Sequence, residues 1–341
     1  VEGLPDSLVA MIGRKTENIE VKKKKFVYSK NFDKPQWVYL CDLKVIKSGV
    51  FKANRVFAIP GETIEMKGNF TEGVDIKGGK FYQEQELMDE YKGQAHKDIK
   101  ALWKWYSDNV NDSNRDSIEK VADERMEPLQ KKYAADLLAY AKQHSDQECI
   151  ALLIDELDDV KDKETLISLM ADNVKNGRMK AYYEPIFESA KKRAEMEEKA
   201  KVVQASGVEA PDFTLNDING KPFSLSSLRG KYVVLDFWGS WCIWCIKGMP
   251  KMKEYYEKYK GKFEILGVDC NDTEAKWKAA VEKHQLPWIH VYNPKGSNIL
   301  EKYAIQGFPT KIVVGPDGKI VKTIVGEDPA FYTLLDEVLG K

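Results

Sequence analysis

Two cysteines separated by two residues are the side chains best placed for chemistry. They are Cys242 and Cys245, in the segment Trp241-Cys-Ile-Trp-Cys245. A strand-forming apolar run precedes them and a helix-forming segment follows, the context in which Cys-x-x-Cys indicates redox chemistry. Free N–H groups and the dipole at a helix N-terminus favour a thiolate. We therefore expect Cys242 to have a lowered pKa and to attack, and Cys245 to resolve the mixed disulfide.

Two other uses of the cysteine pair fit the sequence less well. A structural zinc site needs four ligands, but no second pair is present, and His284 and His290 are six positions apart. We therefore predict no metal site. A purely structural disulfide across so short a loop would add little stability, because the gain grows with loop length. The scattered Cys41, Cys149 and Cys270 are predicted to be single buried thiols.

The elements that must position the pair alternate between strand and helix. Residues 232–238, 263–268, 311–314 and 319–325 are predicted strands, and residues 243–259, 274–284 and 329–339 are predicted helices. The segment Gly315-Pro-Asp-Gly318 between the last two strands indicates a hairpin turn. This order of elements predicts an α/β domain with a mixed sheet.

Two regions of different composition precede that domain. Residues 1–85 contain short runs of strand formers between turn signals, at 26–28, 37–40, 55–59 and 63–66, and predict a β-rich N-terminal domain. Residues 86–206 are rich in Ala, Leu, Glu and Lys, and predict a helical linker domain. Gly and Pro in Ala205–Pro211 mark the boundary. The predicted third part, residues 207–341, holds the cysteine pair.

The composition of the whole chain excludes some classes of function. With 341 residues and a formal net charge of -1, the chain lacks the basic excess of a nucleic-acid binder. No stretch approaches the ~18 apolar residues of a membrane helix, so we expect no transmembrane segment in this chain. It begins at Val1 with no signal peptide, and we expect a trimmed form whose targeting segment has been removed.

Several further motifs occur in a recognisable order. They are Ala210-Pro-Asp-Phe-Thr-Leu215, Asn219-Gly-Lys221, Ser224-Leu-Ser-Ser-Leu228, Val234-Leu-Asp-Phe-Trp-Gly-Ser-Trp-Cys242 and Gly307-Phe-Pro-Thr310. With them, residues 207–341 resemble the thioredoxin superfamily, and within it the TlpA/ResA-like periplasmic thiol-disulfide oxidoreductases. The resemblance implies a thioredoxin fold that exchanges dithiols and disulfides with protein substrates and an upstream redox partner. It implies no bound cofactor, and a periplasmic or cell-envelope location, where disulfides persist.

The resemblance also implies roles for individual residues. Pro309 would follow a cis peptide bond, essentially a proline feature, and face the cysteines. The backbone at Phe308 would pair with an extended substrate peptide, and Trp241 and Trp244 would shape the contact surface. Asp236 matches the buried acid of thioredoxin. Its pKa should be raised by burial, and it could accept a proton from Cys245; a hydrogen-bonded structural acid is the alternative.

Three features depart from the usual pattern of that family. Ile243 and Trp244 separate the cysteines where x-Pro is common, and Gly248 stands where a glutamate is usual, three residues after the second cysteine. The stretch from Cys245 to Pro309 is long, which fits the family's extra strand and helix within residues 288–303. The first two departures leave the reduction potential and the direction of electron flow open.

Two further hypotheses come from other classes of function. Residues 57–64 and 75–81 weakly resemble a β-rich domain of unknown function that precedes many thioredoxin domains. The first 200 residues could then be a binding module, with the thioredoxin domain as scaffold; removing them would abolish target binding and spare exchange with small disulfides. Peroxide reduction on the same fold would require a peroxidatic cysteine in a Thr/Pro-rich setting, which Trp241-Cys242 does not provide.

Overall fold

A computed structural model describes residues 1–49, 52–111 and 113–340. The chain forms two compact units, the first from Val1 to Lys191 and the second from Lys192 onward. The predicted fold class is confirmed: β-rich and helical regions precede an α/β part with a mixed sheet. The finer division at residues 85 and 206 stays a prediction, and Lys341 lies outside the described residues.

The first unit begins with antiparallel strands. They are β1 (Leu8–Ile12), β2 (Lys15–Asn18), β3 (Val21–Lys22), β4 (Lys25–Phe26), β5 (Gln36–Asp42), β6 (Ala53–Ala58), β7 (Glu65–Asn69) and β8 (Gly73–Lys77). One sheet has the order β2-β1-β5-β6, while β3-β4 and β7-β8 form separate hairpins. The predicted strands at 37–40 and 55–59 lie within β5 and β6 except for Ile59.

Helices complete the first unit. They are α1 (Leu43–Lys47), α2 (Lys80–Ala95), α3 (Lys97–Asn109), α4 (Arg115–Gln143), a 3₁₀ helix (Glu148–Asp155), α5 (Val160–Leu169), α6 (Asp172–Lys175) and α7 (Lys180–Val203), which runs on into the second unit. The apolar 3₁₀ segment is buried, and Leu153 shares one hydrophobic cluster with Phe57 of β6 and Leu137 of α4. The β-rich and helical regions therefore share a core in this unit.

The second unit alternates strands with helices. Its strands are β9 (Thr214–Asp217), β10 (Pro222–Ser224), β11 (Tyr232–Trp238), β12 (Phe263–Asp269), β13 (Ile289–Tyr292), β14 (Thr310–Val314) and β15 (Ile320–Val325). Its helices are a 3₁₀ turn (Leu225–Leu228), α8 (Ile243–Lys258), α9 (Glu274–Lys283), α10 (Ile299–Lys302) and α11 (Ala330–Leu339). The sheet order is β10-β9-β13-β12-β11-β14-β15.

Strand β11 lies inside this sheet, parallel to β12 and antiparallel to β14. Successive side chains of a strand point to opposite faces. The odd-numbered residues of β11 accordingly join one hydrophobic cluster, whereas Val234 and Trp238 join another that contains residues of α8 and α11. Asp236 lies between Val234 and Trp238 in sequence and faces the same way. The sheet thus presents one carboxyl toward the helix that carries the cysteine pair.

Cys41, Cys149 and Cys270 are free and buried, so the prediction of single buried thiols is confirmed. Burial raises the pKa of each thiol, with nearby carboxylates adding to the effect at Cys149 and Cys270. These thiols are poor nucleophiles at neutral pH, since the thiolate is the reactive form. Within the described residues, no helix is both long and apolar enough to cross a membrane.

Candidate active site

Cys242 and Cys245 form a disulfide at the first turn of α8. Cys242 is the N-cap residue of the helix, and its sulfur accepts a hydrogen bond from the Cys245 N–H at 3.1 Å. Both residues are about equally buried, so exposure does not distinguish their roles. The N-cap position does, because only the Cys242 sulfur receives a free N–H of the helix terminus, which would stabilise a thiolate.

The loop between β11 and α8 is fastened to the loop after β12. The backbone N–H and hydroxyl of Ser240 donate to the two carboxylate oxygens of Asp272, at 2.6 and 2.7 Å. The indole N–H of Trp241 donates to the carbonyl of Cys270 at 2.9 Å. These bonds hold the residue before Cys242 in one orientation, so the disulfide is presented by a fixed loop.

Gly239 is required by that arrangement. A Cβ at this position would overlap the indole of Trp241 and lie 2.8 Å from the Cys270 carbonyl oxygen. We expect Gly239→Ala to break the Trp241–Cys270 hydrogen bond and to lower the free energy of unfolding by about 1–3 kcal/mol, the usual cost of overpacking. Urea titration of the two proteins measures this.

Gly93→Ala is the control for that substitution. Gly93 is exposed inside α2, and an added Cβ meets no atom within 4 Å. Alanine there should stabilise the helix by about 0.5–1 kcal/mol, because glycine loses more backbone entropy on folding. Equal stability of Gly239→Ala and the parent would contradict the close packing described for the loop.

The segment 307–310 lies beside the cysteine motif. Its Phe308–Pro309 peptide bond is cis, as the sequence resemblance implies. The rings of Phe308 and Trp241 meet edge to face with centroids 5.3 Å apart, and the Pro309 carbonyl accepts from the Gly326 N–H at 2.8 Å. Within the described residues, no backbone hydrogen bond uses Phe308. The N–H and carbonyl of Phe308 are thus without a backbone partner in this part of the chain.

Apolar side chains are exposed next to the two cysteines in sequence and on the strand that pairs with the segment after Pro309. Trp241 is half exposed, and Ile243, Trp244 and Val325 expose about 60% or more of their area. We call these four residues the apolar rim. The Lys247 ammonium lies over the Trp244 ring, 4.3 Å from its centroid. Large apolar side chains left exposed beside a reactive group favour contact with other molecules.

Asp236 is buried below this surface, only 5% exposed, and its Oδ1 atom has no hydrogen-bond partner. Burial raises the pKa of this carboxyl to about 6; the Lys311 ammonium lowers it and the Glu327 carboxylate raises it further. Asp236 can therefore gain or lose a proton near neutral pH. It shares its face of β11 with residues that pack against Cys242 and Cys245.

Lys311, Glu327 and Tyr332 form a polar cluster that the sequence analysis missed. The Lys311 ammonium pairs with Glu327 Oε2 at 2.7 Å, and the Tyr332 hydroxyl donates to Glu327 Oε1 at 2.7 Å. Lys311 is only 1% exposed. The sequence did carry a signal for Lys311, because it is a single lysine in an otherwise apolar, buried strand. Glu327 lies in a Gly-Glu-Asp turn and gave no local signal.

Two other buried titratable groups lie near the edge of β12 and β13. Burial, then Asp272, raises the pKa of Asp269 to about 8. Burial lowers the pKa of His290 to about 3. Both side chains are therefore mainly uncharged at neutral pH.

The structure brings together five of the predicted site residues: Cys242, Cys245, Trp241, Phe308 and Pro309. Asp236 lies on the face of the sheet that is turned toward α8, and Trp244 is exposed.

Known proteins similar to this chain share the second unit. The sequence profile of the AhpC/TSA family matches residues 206–323. The thiol-disulfide oxidoreductase ResA of a Bacillus cereus strain is 43% identical over 122 residues, which are 36% of this chain and 70% of the relative. ResA of Bacillus subtilis (strain 168) is 33% identical over 123 residues, 36% of this chain and 68% of that protein.

A solved structure matches the same region. It is the crystal structure of the thioredoxin domain of a thiol-disulfide oxidoreductase from Bacteroides vulgatus, with 36% sequence identity and a TM-score of 0.38. The match covers 40% of this chain and 98% of that one.

Proposed function

The chain belongs to the ResA family of thiol-disulfide oxidoreductases, and on that premise we propose how its residues divide the work of exchange. It exchanges electrons with protein substrates through a Cys-x-x-Cys dithiol. The observation that carries the assignment of roles is the Cys242 sulfur at the N-cap of α8, where it accepts the Cys245 N–H. Cys242 is the attacking residue and Cys245 the resolving one.

The first step forms a mixed disulfide. In the reduced protein, the Cys242 thiolate attacks one sulfur of a substrate disulfide. The substrate S–S bond breaks, a bond between Cys242 and the substrate forms, and the other substrate sulfur leaves as a thiolate. The N–H of Cys245 supports the thiolate before attack.

The second step needs a base. The Cys245 thiol passes its proton to the Asp236 carboxylate, and the resulting thiolate attacks the Cys242 sulfur. The mixed disulfide breaks, the second substrate sulfur leaves, and the substrate has gained two electrons while Cys242 and Cys245 have lost them. The same steps in reverse oxidise a dithiol. A carboxyl titrating near pH 6 is suited to this transfer, because an effective base titrates near the working pH.

The apolar rim and the cis-proline segment together select the substrate. Trp241 and Trp244 offer apolar contact area, and Phe308 offers unpaired peptide groups for an extended chain. Addition of a strand to free backbone groups supplies affinity with little sequence requirement, while the rim favours apolar neighbours of the substrate cysteine. We assign Trp241, Trp244, Phe308 and Pro309 to substrate binding.

The chain works outside the cytoplasm, in the periplasm or cell envelope, and a second redox protein restores its active form. Disulfides form and persist in such compartments. A dithiol that reduces one substrate is left oxidised, so continued turnover requires an electron donor. An oxidising role requires an acceptor instead.

The reduction potential of the Cys242–Cys245 pair tests this function. Equilibrate the protein in thiol buffers of known poise, alkylate the free thiols and measure the reduced fraction. We expect a value between about -270 and -120 mV, the range of redox-active pairs. A value below roughly -300 mV is that of a structural disulfide and would contradict catalysis.

A further inference from the structure

Gly248 leaves space on α8 that a carboxylate from another element fills. Glu327, in the turn between β15 and α11, places its carboxylate where the Cβ of any larger residue at 248 would lie. A side chain at 248 and Glu327 in its present position therefore exclude each other. The glutamate that is usual at position 248 is absent here, and the carboxylate of Glu327 occupies the space beside that position.

Two donors hold the Glu327 carboxylate. One is the Lys311 ammonium, at 2.7 Å, and the other is the Tyr332 hydroxyl, also at 2.7 Å. The Glu327 side chain is 18% exposed and that of Lys311 1%. Water screens such a pair little, so its charges act on their neighbours more strongly than those of a surface pair.

Lys311 connects this pair to Asp236. The two residues are direct partners in the antiparallel register of β11 and β14, and their side chains extend from the same face of the sheet. Val313, two positions after Lys311, packs in the cluster that contains Cys242 and Cys245. A cation next to Asp236 stabilises its ionised form, and the Glu327 carboxylate works against that effect.

We propose that Lys311 and Glu327 are positioning residues for the resolving step, whose ion pair sets whether Asp236 is ready to accept the Cys245 proton. This inference rests on the proposed role of Asp236 as base. Lys311 keeps the buried carboxyl able to ionise, and Glu327 limits that stabilisation so that the carboxylate stays basic enough to take a proton. Tyr332 fixes the Glu327 carboxylate through its hydrogen bond.

Other titratable groups lie on the elements around Asp236. They are Cys242 and Cys245 at the start of α8, Lys251 on α8 above the Tyr332 ring, Tyr332 on α11, Asp269 at the end of β12, and His290 on β13. Cys270 packs in the cluster on the other face of the sheet. Burial holds Asp269, Cys270 and His290 mainly in their neutral forms, and desolvation raises the pKa of the Tyr332 phenol. Among the described charges, Lys311 and Glu327 are the ones that act on the Asp236 pKa.

Two substitutions with opposite expected signs test the proposal. Label the full chain with ¹³C-aspartate, reduce it, and follow the Asp236 carboxyl carbon by NMR against pH, using Asp236→Asn to identify the signal. Glu327→Gln should lower the Asp236 pKa by about 1 unit, and Lys311→Met should raise it by about as much, as expected for single neighbouring charges. The Asp236 pKa in the double variant should lie between the values in the two single variants. Because the double variant removes both charges of the pair, it still tests the proposal if either single variant folds poorly.

Gly248→Ala provides a test that changes no charge. Its methyl group would displace the Glu327 carboxylate, so this variant should also lower the Asp236 pKa. In the Glu327→Gln background the same alanine should have no further effect. Glu337→Gln is the matched control, because Glu337 is exposed on α11 and should leave the titration unchanged.

The kinetic readout is the pH profile of the resolving step in single turnovers. Its midpoint should move down in Glu327→Gln and up in Lys311→Met. Unchanged or same-direction shifts in both would overturn the proposal, and so would an independent effect of Gly248→Ala. Failure of the proposed function is distinct, since Asp236→Asn would then leave the resolving rate unaltered.

Discussion

Replacing Cys245 by serine is expected to trap the substrate on Cys242. The Cys242 sulfur still accepts the N–H of residue 245, because that bond involves the backbone and not the replaced side chain. Attack on a disulfide therefore proceeds, but no thiolate remains to release the product. With a disulfide reagent such as 5,5′-dithiobis(2-nitrobenzoate), the reduced parent should release two equivalents of thionitrobenzoate from the pair. The variant should release one and retain the other.

The reciprocal variant, Cys242→Ser, distinguishes the roles of the two cysteines. Cys242→Ser should lose turnover to background, because Cys245 lies inside the first turn of α8 and not at the N-cap that would stabilise its thiolate. Cys149→Ala, which removes a buried thiol in the first unit, should turn over like the parent. Trapping of one equivalent of the reagent by Cys242→Ser, with only background reaction in Cys245→Ser, would reverse the assigned roles.

The framework of the site could be predicted because its signals are local. Strand β11 coincides with the apolar run 232–238, and α8 begins directly after Cys242, as the Cys-x-x-Cys context predicted. In the first unit the signals are weaker. Strand β1 was not predicted, and the predicted strand at 26–28 is limited to Phe26 at the end of β4, because short hairpins depend on pairing partners more than on composition.

The polar surroundings of Asp236 could not be predicted in the same way. Its raised pKa follows from burial in an apolar strand, which the sequence indicates. Its partners come from β14 and from the turn before α11, and no spacing rule connects residues 236, 311 and 327. The antiparallel register of β11 and β14 brings Lys311 to Asp236, and the small size of Gly248 admits Glu327.

Replacing Asp236 by asparagine is expected to slow the resolving step and to stabilise the fold. Without the carboxylate, the Cys245 thiol must lose its proton to water. The single-turnover rate of the second thiolate release should fall by about 100-fold at pH 7, the lower end of the contribution of a positioned base. The difference should narrow above about pH 8.5, where a thiol ionises unaided.

The gain in stability has a defined pH dependence. The Asp236 pKa is about 6 in the folded protein and 3.8 for an ordinary aspartate. Between those two pH values the carboxyl is mostly protonated in the folded state and mostly ionised in the unfolded state. Raising the pH through this window therefore costs the parent stability, up to about 3 kcal/mol above pH 6. In the oxidised protein, Asp236→Asn should match the parent near pH 3.5 and exceed it by about that amount at pH 8, by urea unfolding.

Asp336→Asn is the control of opposite sign. Hydrogen bonds from Lys258, then Tyr259 and Tyr255, lower the pKa of Asp336 to about 2, so its carboxylate stabilises the fold at neutral pH and loses that effect as the pH falls through the folded pKa. The asparagine variant should be less stable than the parent at pH 8 and approach it in acid. If Asp236→Asn behaved like Asp336→Asn, the Asp236 carboxylate would be a satisfied structural acid. A carboxyl that destabilises the fold when ionised, and accelerates thiol exchange when present, serves proton transfer and not stability.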